Sequence, residues 1–148
     1  MNTPAMNDLE TAKTQLFQNH LTLIFIKNNN ILFKTKSHRL SGFLTAIQEL
    51  DRKLENASVA DKVVGRAVAL LCAYARIKAI YAETLSMKAV DVLEKASIAC
   101  DWKRLVETIL DANKNDVCPF EKAAAKISIP KDAYEKFNDL QNKLRTCR

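Results

Sequence analysis

The segment from Val63 to Ala75 constrains this chain most, because its residues are apolar on almost every side of a helix. A helix with no polar stripe has no face to turn toward water, so it has to be covered by other elements. Short β-branched segments lie before and after it in the sequence, and they supply the strands of a sheet. We therefore predict a buried helix packed flat against that sheet.

The first two strands are predicted at residues 21–26 and 31–35, with Asn28-Asn29-Asn30 between them. Asparagine tolerates the left-handed backbone that a tight hairpin needs, so this triplet can form the turn without glycine. Further strands are predicted at 57–60 (ending at Asp61), 78–82 and 98–102. Helices are predicted at 5–18, 40–54, 63–75, 86–96 and from Leu105 onward, with breaks at 113–116, Pro119 and Pro130. Ser86 is a possible cap of the helix at 86–96, and Met87, Val90 and Leu93 are expected to face inward.

This order, α-β-β-α-β-α-β-α-β-α, predicts a three-layer α/β/α fold with a mixed sheet that an antiparallel hairpin opens. We expect one domain over residues 1–148, with its core at about 21–140.

Scarcity of glycine excludes whole classes of function. Gly42 and Gly65 are the only two glycines, too far apart to form a phosphate-binding loop or a dinucleotide-binding fingerprint. The net charge of +6 is spread along the chain without a basic arm, which favours a mildly basic soluble surface over a nucleic-acid interface. With no apolar run of membrane-spanning length, no secretory signal and four scattered cysteines, a cytoplasmic protein with reduced thiols is expected.

The first candidate site is the start of a helix at Cys118-Pro119. Pro119 suits the first helical position, which makes Cys118 the N-cap and puts Glu121 at the acidic position of a capping box. A thiol at a helix N-terminus is favoured as thiolate, so Cys118 is a candidate nucleophile with Glu121 as acid, base or hydrogen-bond acceptor. The alternative is a small buried side chain beside an ordinary helix start.

The second candidate site is the junction of strand and buried helix, where Asp61, Lys62, Gly65 and Arg66 lie. Positive charge in the first turn of a helix opposes the helix dipole, so Lys62 and Arg66 require an anion, either a ligand or a carboxylate of the chain. Gly65 leaves room for close approach of a ligand or another part of the protein. The structural alternative is that Asp61 caps the helix and pairs with Arg66, with Gly65 needed for tight packing.

No metal or cofactor is expected. The two histidines, His20 and His38, have no carboxylate or second histidine at the spacing of metal ligands.

Two stretches carry a family resemblance: residues 61–71, which read DKVVGRAVALL, and residues 116–122, which read DVCPFEK. At these residues the chain resembles a small uncharacterised bacterial family, a domain of unknown function that is similar to cytidine deaminases in fold. The resemblance runs from about Leu21 to Leu140 and implies a three-layer α/β/α fold.

Deaminase chemistry itself is not implied by the resemblance. A zinc deaminase needs H-x-E or C-x-E at one helix start and P-C-x-x-C at the next. This chain has Ser37-His38-Arg39-Leu40 at the first position and Asp61-Lys62-Val63-Val64-Gly65 at the second, which leaves too few zinc ligands. We expect a deaminase-like scaffold without its metal and without zinc-dependent activity.

Two functions remain open at this point. In the first, the chain binds a small anionic or nucleotide-like ligand through Asp61, Lys62, Gly65 and Arg66, with Cys118 and Glu121 as reactive groups. In the second, it is a non-catalytic interaction or regulatory subunit in which both motifs are structural. A homo-oligomer is compatible with either.

Overall fold

A computed structural model describes residues 4–37, 40–110 and 118–146 of the chain. Its helices are α1 (Pro4–Gln18), α2 (Ser41–Leu50), α3 (Arg66–Ala75), α4 (Met87–Lys95), α5 (Pro119–Ala124) and α6 (Pro130–Thr146), with one 3-10 turn at Asp51–Leu54. Its strands are β1 (Leu23–Lys27), β2 (Asn30–Thr35), β3 (Ser58–Val64), β4 (Ala79–Ser86) and β5 (Ala99–Val106).

The strands form one mixed sheet in the order β2-β1-β3-β4-β5. Strand β1 is antiparallel to β2 and β3, whereas β3, β4 and β5 are parallel. Helix α1 covers one face, where Ala12 and Leu16 pack with Ile24 and Ala60. The other helices contribute to the larger core on the opposite face, which confirms the predicted α/β class with a hairpin opening the sheet.

The hairpin turn is confirmed at the asparagines. Asn28 and Asn29 adopt φ angles of 51° and 67°, the left-handed values of a two-residue turn. Their N–H groups donate to the two carboxylate oxygens of Asp8 on α1, over 2.9 and 3.0 Å. Helix α1 therefore holds the turn in place as well as covering the sheet.

Helix α2 lies so close to the hairpin that a side chain at Gly42 would force a neighbouring side chain to shift. A Cβ atom there would lie 2.9 Å from Cγ2 of Thr35 at the end of β2. The sequence offered no reason for a glycine inside this helix, and the reason is this contact between elements. Replacement is mild here, because the neighbouring atom belongs to a side chain that can shift.

Strands β3, β4 and β5 are longer than predicted. The predicted helical tail does not begin at Leu105, because Leu105 is part of β5. Strand β5 continues to Val106, because Leu105 pairs with Leu85 in parallel register. Strand β3 continues past Asp61 to Val64, which pairs with the same Leu85. Apolar residues such as these fit a helix or a strand equally well by pattern, and the ladder to β4 decides between the two.

Helix α4 begins as predicted, with Ser86 as its N-cap. The Ser86 hydroxyl accepts a hydrogen bond from the N–H of Lys88 over 3.1 Å. The prediction that Met87 faces inward is wrong, since 57% of its surface is exposed. No helix in the described ranges is long and apolar enough to cross a membrane. The single domain with its core at 21–140 stays a prediction.

Candidate functional site

The N-terminus of α3 is capped by a side chain from a distant part of the sequence. Gly65 occupies the N-cap position and has no side chain with which to bind the free N–H groups. The N–H of Arg66 donates to Oε2 of Glu121, and the N–H of Ala67 donates to Oε1, each over 3.1 Å. A carboxylate at this place satisfies two of the free donors and also faces the positive end of the helix dipole.

Gly65 makes this contact sterically feasible. A Cβ atom at Gly65 would lie 1.8 Å from Oε1 of Glu121 and 3.0 Å from Cγ1 of Ile109. The backbone of Gly65, with φ −103° and ψ −171°, is extended and open to any residue. Glycine is therefore required for space alone, and the group that approaches closely is the carboxylate of Glu121.

Arg66, the first residue of α3, binds the helix that carries Glu121. Its Nε donates to the carbonyl of Ala124 over 2.9 Å, and its Nη2 donates to the carbonyl of Ile127 over 2.7 Å. Ala124 is the last residue of α5 and Ile127 lies in the segment that follows it, where a guanidinium can bind two carbonyl groups at once. The start of α3 is thus joined to α5 and the segment after it by four hydrogen bonds, which we call the α3–α5 latch.

Burial of the latch affects the acidity of Glu121, which is only 8% exposed. Desolvation raises the pKa of its carboxyl above the ordinary glutamate value. The N–H groups of Ala67 and Arg66, followed by the charges of Lys88 and Arg66, oppose this rise. The protein itself therefore supplies donors and positive charges that favour the ionised carboxylate.

Replacing Arg66 with lysine is expected to lower the free energy of unfolding by about 1–2 kcal/mol, because one ammonium cannot reproduce the paired guanidinium hydrogen bonds. The exposed Lys62 is the matched control, and Lys62→Ala should change stability by less than about 0.5 kcal/mol. Denaturant unfolding measures both variants. Equal stability of Arg66→Lys and the wild type would contradict this role of the guanidinium.

Asp61 lies inside β3, between Leu23 of β1 and Ala82 of β4, and not at the carboxyl end of the strand. Its Oδ1 accepts a hydrogen bond from the N–H of Val63 over 3.3 Å. Burial raises the pKa of the Asp61 carboxyl from 3.8 to about 7, against the opposing effect of the N–H groups of Val63 and Lys62. Asp61 is thus a desolvated carboxyl in the middle of the sheet.

A thiol of the buried helix lies near this carboxyl. Burial raises the pKa of Cys72 on α3, and the negative charge of Asp61 raises it further. The expectation that Asp61 caps α3 and pairs with Arg66 is wrong, because β3 extends three residues beyond Asp61 and Arg66 binds α5 instead. Lys62 also lies in the strand and not in the first turn of the helix, and its side chain is exposed.

Cys118 is the N-cap of α5, as expected, and is partly buried against the core. Its N–H donates to the carbonyl of Ile109 over 3.2 Å, and its side chain forms no capping hydrogen bond. The predicted capping box at α5 is wrong, because Glu121 turns to α3. No hydrogen bond joins Cys118 to Asp61 in the described part of the chain. Asp116 and His38 lie outside the described residues.

A groove of about 360 Å³ between α2 and α6 was not suggested by the sequence. It is lined by Leu44, Thr45, Gln48, Tyr134, Asn138, Gln141 and Asn142. Oε1 of Gln141 is buried there without a hydrogen-bond partner. Amide side chains on a helix surface are typical of a solvated face, so the pattern alone gave no signal. The groove offers uncharged donors and acceptors and no charged side chain.

The fold and the latch together define a three-layer α/β/α protein whose central helix is capped from within the chain. Among the residues that the structure describes, no group of three or more His, Cys, Asp or Glu side chains is placed to hold a metal ion. Residues 11–141 match the family model described as Domain of unknown function (DUF1893), and the chain belongs to this family. The resemblance to an uncharacterised family is thereby confirmed.

A solved structure of the same family has the same fold. A DUF1893 family protein from Thermotoga maritima, TM1506, is 22% identical, with a TM-score of 0.82 over 90% of this chain and 89% of that one. Two forms of Acinetobacter baumannii RibD are each 17% identical, with TM-scores of 0.43 and 0.44, and match 84% and 83% of this chain and 36% of theirs. No curated protein matches the sequence at a significant level.

Proposed function

We propose that this chain is a non-catalytic interaction or regulatory protein on a deaminase-like scaffold. The observation that carries this proposal is the α3–α5 latch, in which the polar groups of the candidate site bind one another. Glu121 binds the N–H groups at the helix N-terminus that an anionic ligand would use. The Arg66 guanidinium donates to two carbonyl groups of the chain. The motifs at Gly65-Arg66 and at Cys118-Pro119-Phe120-Glu121 then serve to dock one helix on another.

A second candidate function, binding of a small anion, is favoured by the same contact. A ligand carboxylate or phosphate that displaced Glu121 would meet two free N–H groups of α3, and the positive charges of Lys88 and Arg66, which favour the Glu121 carboxylate, would also favour the ligand. Cys118, at the N-cap of α5, would be the reactive thiol of such a site.

Ligand titration of the Glu121→Ala variant separates the two functions. The change removes the carboxylate and leaves the N–H groups of Arg66 and Ala67 without a partner. If the latch is structural, inorganic phosphate and nucleoside monophosphates should leave the melting temperature of the wild type unchanged and raise that of the variant. The gain follows from binding to the folded state alone, which stabilises it in proportion to the logarithm of ligand concentration over Kd.

Glu135→Ala is the matched control, because Glu135 is an exposed glutamate on α6. It should behave like the wild type with every ligand. A saturable rise in the melting temperature of the wild type with any of these anions would overturn the structural function and support the second candidate.

A further inference from the structure

Strand β5 is an exposed edge of the sheet. It pairs with β4 on one side, and no strand of the described residues pairs along its other side. Only Cys100 and Val106 of its eight residues are partly buried, and the others are exposed. Trp102 is 40% exposed and Leu105 is 44% exposed, so the strand has large apolar side chains open to solvent on both faces of the sheet. A long edge of this kind is a template for pairing with another strand.

The backbone of Trp102 faces this free side. Its N–H donates to Oδ1 of the preceding Asp101 over 2.9 Å and so is not used in the ladder to β4. Because the N–H and C=O groups of a strand alternate between its two sides, Cys100 and Arg104 present their backbone groups to the same free side as Trp102. The edge therefore carries a row of donors and acceptors in the spacing of a β-ladder.

The charged residues of β5 restrict the register in which a second copy of this strand could pair with it. Two identical antiparallel strands that form one continuous sheet are related by a two-fold axis normal to it, so one residue must lie opposite its own copy. Centring the pair on Asp101, Lys103 or Arg104 would put like charges directly opposite each other, which is destabilising. Centring it near either end of β5 avoids like charges but pairs at most three residues of the strand. Centring it on Trp102 pairs residues 99–105 and puts Asp101 opposite Lys103 on both sides of the axis.

We propose that two copies of this chain pair through β5 in antiparallel register centred on Trp102, so that the sheet continues from one protomer to the other. The Asp101 carboxylate then leaves the N–H of Trp102 to form an ion pair with Lys103 across the interface, and the N–H of Trp102 joins the ladder. Ala99 lies opposite Leu105, and the two Trp102 rings meet at the axis. The occupant is a second copy because β5 is complementary to itself in charge.

This proposal goes beyond the proposed function and does not depend on the α3–α5 latch. The residues that carry it lie along β5, and variants of β5 leave Arg66 and Glu121 unchanged. A result that contradicts one proposal therefore does not contradict the other.

Charge exchange tests the register. Asp101→Lys puts lysine opposite Lys103, and Lys103→Asp puts aspartate opposite Asp101, so each single variant should dimerise roughly tenfold more weakly or worse. The double variant Asp101→Lys with Lys103→Asp restores two opposite-charge pairs and should recover the wild-type dimer. Sedimentation equilibrium gives the dimer Kd of each protein. Lys136→Asp changes an exposed lysine on α6 and should leave the Kd unchanged.

Cross-linking tests the centre of the pair. In a background with Cys100, Cys118 and Cys147 changed to Ser, Trp102→Cys puts two thiols opposite each other at a Cα separation that a disulfide can bridge, so mild oxidation should give a covalent dimer. Lys103→Cys in the same background should give none, because Asp101 lies opposite it. A wild type that stays monomeric at all concentrations, a double variant without recovery, or cross-linking at residue 103 in place of 102 would each overturn the proposal.

Discussion

Gly65→Ala is expected to lower the free energy of unfolding by about 3 kcal/mol. The added Cβ would lie 1.8 Å from Oε1 of Glu121, so the carboxylate has to leave the N-terminus of α3. That departure removes two charge-assisted hydrogen bonds and leaves the helix uncapped, and each such loss costs about 1–2 kcal/mol. Denaturant unfolding of the variant measures the sum.

Two comparisons make the Gly65 result specific. Gly42→Ala adds the same methyl group beside a side chain that can shift, and alanine gains helix propensity over glycine, so its effect should stay within about 1 kcal/mol. In a Glu121→Ala background the clashing carboxylate is gone. Adding Gly65→Ala to that variant should therefore lower its free energy of unfolding by at most about 0.5 kcal/mol. Additive effects of the two changes would contradict the close approach seen in the structure.

Asp61→Asn is expected to remove a large pH dependence of stability. The folded state holds the proton of Asp61 up to a pKa of about 7, whereas the unfolded chain releases it near 3.8. A raised pKa in the folded state means that the wild type loses stability as pH rises from about 4 to about 7, and this loss is complete above that range. The difference between these two pKa values corresponds to a loss of about 4 kcal/mol.

The asparagine variant cannot ionise, so it should be more stable than the wild type at pH 8 by about 2–4 kcal/mol and close to it at pH 4. Denaturant unfolding at both pH values measures this difference. Glu121 also has a raised pKa and contributes a loss of the same sign, so the comparison with the variant, and not the wild-type curve alone, reports on Asp61. The exposed Asp139→Asn is the control. An Asp61→Asn protein with the same pH profile as the wild type would refute a desolvated carboxyl at this position.

Local patterns were enough to predict much of the fold. The asparagine turn, the buried helix α3 and the Ser86 cap each depend on residues close together in sequence, whose backbone preferences are strong. The end of β3 was missed because Val63 and Val64 suit a helix face as well as a strand. The pairing of Val64 with Leu85 shows that this segment is a strand, and that contact joins residues far apart in the chain.

The candidate site was likewise predicted only in part. The sequence showed that Gly65 leaves room for a close neighbour, and the structure supplies Glu121. The sequence also predicted an anion for Arg66, whereas its guanidinium binds two carbonyl groups and Glu121 accepts its backbone N–H. It could not show which carboxylate fills that place, since Glu121 has equally good local reasons to cap its own helix. The groove between α2 and α6 depends wholly on how two distant helices pack, and so no local pattern pointed to it.

The distance in sequence between Arg66 and Glu121, 55 residues, has a consequence for synthesis. A growing chain that has emerged only to the end of β5 contains every strand of the sheet, yet the helix at its centre still lacks its cap. Residues 107–127 must also leave the ribosome before the N-terminus of α3 is capped and Arg66 is bound. Until then, the free N–H groups at the N-terminus of α3 are open to anions in the surrounding solution.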